Sequence, residues 1–253
     1  MIMEVLGGFY LLLLLSSSSW MNGAQATKIR LYNTCPFTIW PAWLPSDGHP
    51  QLGAGGCRLD SWQVMDVHAS TRWSGKFWGR TNCQFDTVLG TGCCETGDCS
   101  GNLGCNSTFS PPATIVEFDL HHNNVLDHYR VSLLAGYNLE VRVTSSNLGC
   151  GVAGCSADLN SKCPPELIAW NPRGMAVGCS SPCVAFGADE FCCEKEHFGA
   201  DKCHPSVFSV LFKSCCPAAA TYPFDSWKSA WNCSAGSDYT ITFCPSSSSS
   251  SSL

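Results

Sequence analysis

The chain has 253 residues, a formal charge of −6 at pH 7, only 13% charged residues, and 23 Gly, 14 Pro and 19 Cys. No run of five or more Lys or Arg occurs, and an acidic chain without basic clusters is excluded as a nucleic-acid binder. Nineteen cysteines behind an export leader imply a disulfide framework instead of thiolate-held metal, and so much Gly, Pro and Cys requires abundant turns.

Residues Val5 to Leu15 form an uncharged apolar stretch, and Ala24-Gln25-Ala26 places small residues where signal peptidase cuts. Residues 1–26 are expected to be a signal peptide cleaved after Ala26, although Glu4 and the lack of Lys or Arg make its amino-terminal region unusual. Eleven apolar residues fall short of the roughly 20 that cross a bilayer, and no later segment is long enough either. No transmembrane anchor is expected.

The first strand is predicted in Lys28-Ile29-Arg30-Leu31-Tyr32, where apolar and charged residues alternate. Next comes the run Gly90-Thr-Gly92-Cys93-Cys94-Glu-Thr96-Gly97-Asp98-Cys99-Ser-Gly101-Asn-Leu-Gly-Cys105, too rich in glycine and cysteine for a regular element. Alternation predicts strands again in Thr114 to Leu120 and in Tyr137 to Thr144. Between Ser156 and Cys216 the pattern changes. Ser181-Pro182 reads as an N-cap followed by proline in a first turn, and Phe208, Leu211, Phe212 and Cys215 share one helical face. A last strand is predicted in Tyr239 to Phe243. The seven serines and Leu253 after Pro245 cannot bury apolar area, so residues 246–253 are expected to be a disordered tail.

The Gly90–Cys105 run resembles the signature of thaumatin-like proteins, the plant pathogenesis-related group. The resemblance extends through Thr38-Ile39-Trp40, Phe77 to Cys83, Pro111 to Thr114, Val116-Glu117-Phe118, Phe191-Cys192-Cys193, Phe212 to Pro217 and Phe243-Cys244-Pro245. It implies a mainly β protein: a flattened antiparallel β-sandwich (27–80, 113–155 and 217–245), a small disulfide-rich loop lobe (81–112) and a helix-containing disulfide-rich lobe (156–216). It also implies eight bridges: Cys35 with Cys244, Cys83 with Cys94, Cys99 with Cys105, Cys150 with Cys233, Cys155 with Cys216, Cys163 with Cys179, Cys183 with Cys192, and Cys193 with Cys203. Cys57, Cys93 and Cys215 are left over. Helical spacing puts Cys215 with Phe208 and Phe212, where a thiol acts as a small hydrophobe, whereas Cys57 and Cys93 are open to pairing together, staying free or bridging a second chain.

The same resemblance implies a groove between sandwich and helical lobe. Local motifs carry its residues onto Glu117, Asp127 and Asp225, while Lys76 stands where the family has arginine and Arg130 where it has a third aspartate. Two cations facing three carboxylates weaken the groove's acidity. Cations beside a carboxyl group favour its ionised form, which disfavours the protonated acid that a glycosidase needs. The resemblance implies a secreted antifungal protein, apoplastic or vacuolar, that acts on cell-wall β-1,3-glucan, and the weakened acidity makes binding of that glucan, not its hydrolysis, the expected function. The alternatives are a weak endo-β-1,3-glucanase using Glu117 and Asp127, and a binding partner or inhibitor of a microbial wall-degrading enzyme. Trp43, Trp73, Trp227 and Trp231 are the aromatic residues available for sugar stacking or for the core.

No serine-nucleophile elbow, phosphate loop or zinc-protease motif occurs. His121-His122 and His128 form the one histidine cluster, but adjacent strand residues face opposite ways, so no metal and no cofactor are expected. Two sequons, Asn106-Ser-Thr108 and Asn232-Cys-Ser234, are candidate N-glycosylation sites. Asn106 is the favoured one, because a bridge-forming cysteine lies inside the other. The chain is expected to act as a monomer.

Overall fold

The fold comes from a computed structural model that describes residues 26–122, 125–225 and 230–245. The expected signal peptide up to residue 25, the serine tail and Trp227 lie outside the described residues. In chain order the strands are β1 (Thr27–Asn33), β2 (Trp40–Pro45), β3 (Val64–Ala69), β4 (Ser74–Arg80), β5 (Gln84–Phe85), β6 (Gly92–Cys93), β7 (Ile115–His122), β8 (Leu126–Ser132), β9 (Val141–Ser145), β10 (Ala153–Cys155), β11 (Ile168–Trp170), β12 (Ala176–Cys179), β13 (Ala219–Ala220), β14 (Ala230–Ser234) and β15 (Tyr239–Phe243). The α-helices are α1 (Pro182–Phe186), α2 (Asp189–Cys192) and α3 (Val207–Cys215).

Two sheets face each other. One runs β10-β9-β15-β1-β3; the other runs β13-β8-β7-β4-β2, with β14 also paired to β8. The alternation read in residues 28–32 puts Ile29 and Leu31 in the core while Lys28 and Arg30 point outward. Most pairings are antiparallel, but β1 pairs with β15, and β8 with β13, in parallel. The first and last strands thus lie side by side, with Asn33 opposite Phe243 and the Cys35–Cys244 disulfide just beyond. Thr34 reinforces this corner by donating its hydroxyl to the carbonyls of Phe243 and Cys244, each at 2.7 Å.

Between the sheets the side chains are large and aromatic. Phe118 and Tyr129 of one sheet meet Tyr239 of the other, each at 5.1 Å between ring centres, and Phe77 packs on Trp43, Trp73 and Phe118. Buried phenols need partners for their hydroxyls. Tyr239 donates to Asp127 at 2.8 Å, Tyr137 to the Ala157 carbonyl at 3.0 Å, and Tyr129 to the Gly151 carbonyl.

Alternation overstates one strand. Residues 137–139 are not part of β9, and Tyr137, Asn138 and Leu139 are all buried, which a two-faced strand with one wet side does not allow. Asn138 is the reason. Its amide donates to the Gly79 carbonyl and to Thr96, and its side-chain carbonyl accepts from the Thr114 N–H, so this segment joins the sandwich to the loop-rich region.

That loop-rich region is organised by a buried cation. Arg80, at the end of β4, donates to the carbonyls of Trp40, Asn102 and Leu103 at 2.6 to 2.8 Å and lies over the Phe85 ring. Carbonyl oxygens replace the water a guanidinium loses on burial, and burial pushes its pKa down to about 10. Gly97 adopts φ +69°, and a Cβ there would sit 2.9 Å from the Trp78 ring, so only glycine lets the loop close over that indole. Glu95 ties the loop to the β11–β12 hairpin through Asn171 and Arg173. Hydrogen bonds from Asn82 and Arg173 hold its carboxyl below the ordinary range.

The segment 156–216 carries the helices. Ser181 caps α1 by accepting from the Val184 N–H at 3.2 Å, and Ser206 caps α3 through the Ser209 N–H at 3.1 Å. Among the described residues eight disulfides are present: Cys35–Cys244, Cys83–Cys94, Cys99–Cys105, Cys150–Cys233, Cys155–Cys216, Cys163–Cys179, Cys183–Cys192 and Cys193–Cys203. Cys57, Cys93 and Cys215 are free thiols. Cys215 packs partly against the core beside Phe208; Cys57 is half-buried, and burial pushes its thiol up to about 11; Cys93 is exposed.

The buried phenols set the alkaline limit of the fold. Burial raises Tyr129 to about 12 and raises Tyr137 and Tyr239 further, the latter also through its bond to Asp127. A phenol whose folded-state pKa is raised contributes stability that is complete below its unfolded value near 10 and is lost as pH climbs above it. The three together are expected to remove up to about 4 kcal/mol per pH unit above pH ~10, and Arg80, shifted in the opposite sense, returns at most about a third of that. Ultraviolet difference spectroscopy of the phenolate band should show these tyrosines ionising only as the fold opens. Reversible ionisation of every described tyrosine in a folded chain would refute the assignment.

Candidate functional site: a groove across four strands

Strand register builds the site. Lys76 on β4 lies opposite Glu117 on β7, Glu117 lies opposite Arg130 on β8, and Arg130 lies opposite Ala230 on β14. Directly opposed residues point to the same face, so these side chains form one row across the outer face of the sheet. They line a groove of 560 Å³ that also includes Ser46, Asp47, Ser74, Asp119 and His128. Asp119 and His128 form the next cross-strand pair.

Within the row the charges are already partly matched. Arg130 donates its Nε–H to a Glu117 carboxylate oxygen at 2.7 Å, with side chains 28% and 36% exposed. The Lys76 ammonium lies 5.2 Å from the centre of the Phe109 ring, a cation–π contact. Two cations and three carboxylates, those of Asp47, Glu117 and Asp119, therefore line the groove with His128 and two serine hydroxyls. The balance matches the one expected for Lys76, Glu117, Asp127, Arg130 and Asp225, but its members differ.

Asp127 is a correction. It is fully buried, with one carboxylate oxygen accepting from the His121 N–H and the other from the Tyr239 hydroxyl, both at 2.8 Å. Asp127 and Arg130 are three residues apart on one strand, and odd separations put side chains on opposite faces. Asp127 thus faces between the sheets and cannot pair with Glu117 in the groove. Asp225 is a second correction: it lines a separate hollow with Ser209, Lys213 and Tyr222, where one oxygen accepts from Lys213 at 3.0 Å and from the Thr221 N–H and hydroxyl. None of the described tryptophans lines the groove either. Trp43 and Trp73 are core residues and Trp231 packs over Gly151.

Neither motif nor resemblance singles out Asp47, Ser46, Ser74, Asp119 or His128 as groove residues. Asp119 and His128 share the parity of Glu117 and Arg130 along their strands, a signal that was present. Ser46 and Asp47 follow β2 in a turn, where no periodicity marks a facing side chain. Among the described residues no cluster of His, Cys, Asp and Glu could hold a metal ion, and no helix is long and apolar enough to cross a membrane.

Comparisons with known proteins fit this architecture. The profile of the Thaumatin family matches residues 33–245. A pathogenesis-related thaumatin-like protein of Cryptomeria japonica is 44% identical over 227 residues, covering 88% of this chain and 92% of that protein. A Prunus avium protein named glucan endo-1,3-beta-glucosidase is 38% identical over 228 residues, covering 88% and 93%. Among solved structures, a thaumatin-like xylanase inhibitor aligns with a TM-score of 0.50 at 24% identity, covering 86% of this chain and 99% of its own, a likeness of fold.

The two carboxylates of the expected pair should separate in a stability measurement. Asp127→Ala leaves the Tyr239 hydroxyl and the His121 N–H unpaired in the interior and is expected to cost about 2–4 kcal/mol. Glu117→Gln removes a pair open to solvent and should cost less than about 1 kcal/mol. Denaturant midpoints with the disulfides intact check this, and equal losses would show that Asp127 is not the buried anchor described.

Proposed function

We propose that this chain, which belongs to the thaumatin family of plant defence proteins, is secreted and binds cell-wall β-1,3-glucan along the groove of Lys76, Glu117 and Arg130. The row in register across β4, β7 and β8 is the observation that carries the reading. A neutral polysaccharide offers hydroxyl groups that both donate and accept. A wall of alternating cation and carboxylate, edged by serine hydroxyls, meets both needs without requiring charge on the ligand. Hydrogen bonds to charged groups contribute roughly 1.5–3 kcal/mol each, so a few suffice for selective binding. Eight disulfides support secretion, since such bonds persist in oxidising compartments.

Efficient hydrolysis has less support. A glycosidase of the common type needs two carboxyl groups about 5–10 Å apart across the scissile bond, one of them protonated. Asp127 is buried away from the groove, and Glu117 is engaged by a guanidinium. The relative named as a glucanase keeps hydrolysis as the second reading, with Glu117 and Asp119 the two carboxylates that β7 brings to the groove.

The purified chain is expected to co-sediment with insoluble β-1,3-glucan, and the double variant Lys76→Ala, Glu117→Ala should bind at least ~10-fold more weakly, a loss of about 1.4 kcal/mol. Recovery of all the parent protein in the supernatant would overturn the binding reading. Reducing ends released from soluble β-1,3-glucan over many turnovers, and lost in Glu117→Gln, would replace it with hydrolysis.

A further inference from the structure

We propose that Asn232 carries an N-linked oligosaccharide that stands at the edge of the groove and restricts which polysaccharides enter it. The restriction rests on the groove reading above; the modification does not.

Asn232 lies on β14, which pairs with β8 on the side away from β7. Its direct partner is His128, and two residues earlier Ala230 is the partner of Arg130; Ala230, His128 and Arg130 all line the groove. Opposed residues of an antiparallel pair lie about 4.5–5.5 Å apart and share a face. The neighbours of Asn232 face the other way: Cys233 is buried and bonded to Cys150, and Trp231 packs over Gly151. Asn232 and Ser234 are exposed. The sequon therefore presents its asparagine and serine to solvent on the groove face, and its cysteine to the interior.

The cysteine in the middle position, which made this sequon the less favoured one by sequence, is no obstacle once the geometry is considered. Its sulfur and the acceptor amide point to opposite faces of the strand, so bridge and glycan occupy different space. Transfer takes place on the exported chain before β14 docks on β8. The Asn232 amide nitrogen attacks the anomeric carbon of an oligosaccharide carried on a polyprenyl diphosphate. The new C–N bond forms as the C–O bond to diphosphate breaks, polyprenyl diphosphate leaves, and the amide proton passes to a base of the transferase. When the strand then pairs, the first sugar lies beside the groove wall formed by His128 and Arg130. Asn106, also exposed, follows Cys105 in the loop-rich region and lies on no strand of the groove.

The test uses the full chain with Asn106→Gln, expressed through a eukaryotic secretory pathway so that one sequon remains. Peptide mass mapping should find an oligosaccharide on Asn232 in this chain and in its Ser234→Thr version, and none after Asn232→Gln or Ser234→Ala. In sedimentation with insoluble β-1,3-glucan, both unmodified variants and the enzymatically deglycosylated chain should be retained at least ~3-fold better than the glycosylated chain, with Ser234→Thr behaving as the glycosylated one. An unmodified Asn232 peptide overturns the proposal outright. Equal retention with and without the oligosaccharide overturns the restriction of access. If no form binds glucan, the groove reading and the restriction fall together, and the mass result alone decides the modification.

Discussion

The parallel pairing of β1 with β15 is the constraint on which the rest is built. It brings together segments more than 200 residues apart, and closing so long a loop is entropically expensive for any chain. The Cys35–Cys244 bridge removes much of that cost by restricting the unfolded ensemble. With the ends joined, β9, β15, β1 and β3 present a continuous inner face of Ile29, Leu31, Val67, Val141, Val143, Ile241 and Phe243 to the aromatic residues of the opposite sheet. Cys150–Cys233 and Cys155–Cys216 join segments 83 and 61 residues apart, and the other five bridges act locally, across 6 to 16 residues, holding loop-rich segments that could not bury enough apolar surface to order themselves.

Much of the sheet structure was legible from a period of two. Residues 28–32, 114–120 and 239–243 alternate, and each falls within or one residue from a strand whose apolar side faces inward. The helix at Val207–Cys215 was legible from its apolar face, and its start from the adjacent Ser206 cap geometry only once the structure was known. The segment 137–139 misled because its apolar residues are apolar for a different reason: they fill a three-way junction around Asn138.

The site was legible in part, and the division follows one rule. Glu117, Lys76 and Arg130 occupy positions whose parity along neighbouring strands brings them to one face. Asp127 matches a local motif yet has the opposite parity to Arg130, so a test of spacing alone, three residues apart on a strand, already separates them. Asp225 follows β13 in an irregular stretch, where no period tells which way a side chain points; only the structure reveals its bond to Lys213. Motif likeness located residues in the chain, and the pleat decided which of them meet.

The groove's working surface belongs to one sheet, with β4, β7, β8 and β14 hydrogen-bonded edge to edge and backed by the aromatic core. A cleft between two hinged bodies must close on its ligand and lose mobility as it does so. Here that entropy is already spent during folding, so under the proposed binding role the groove surface is preorganised. On that proposal, selectivity comes from the fit of a ligand to a fixed relief, with association favouring chains whose natural curvature already matches it.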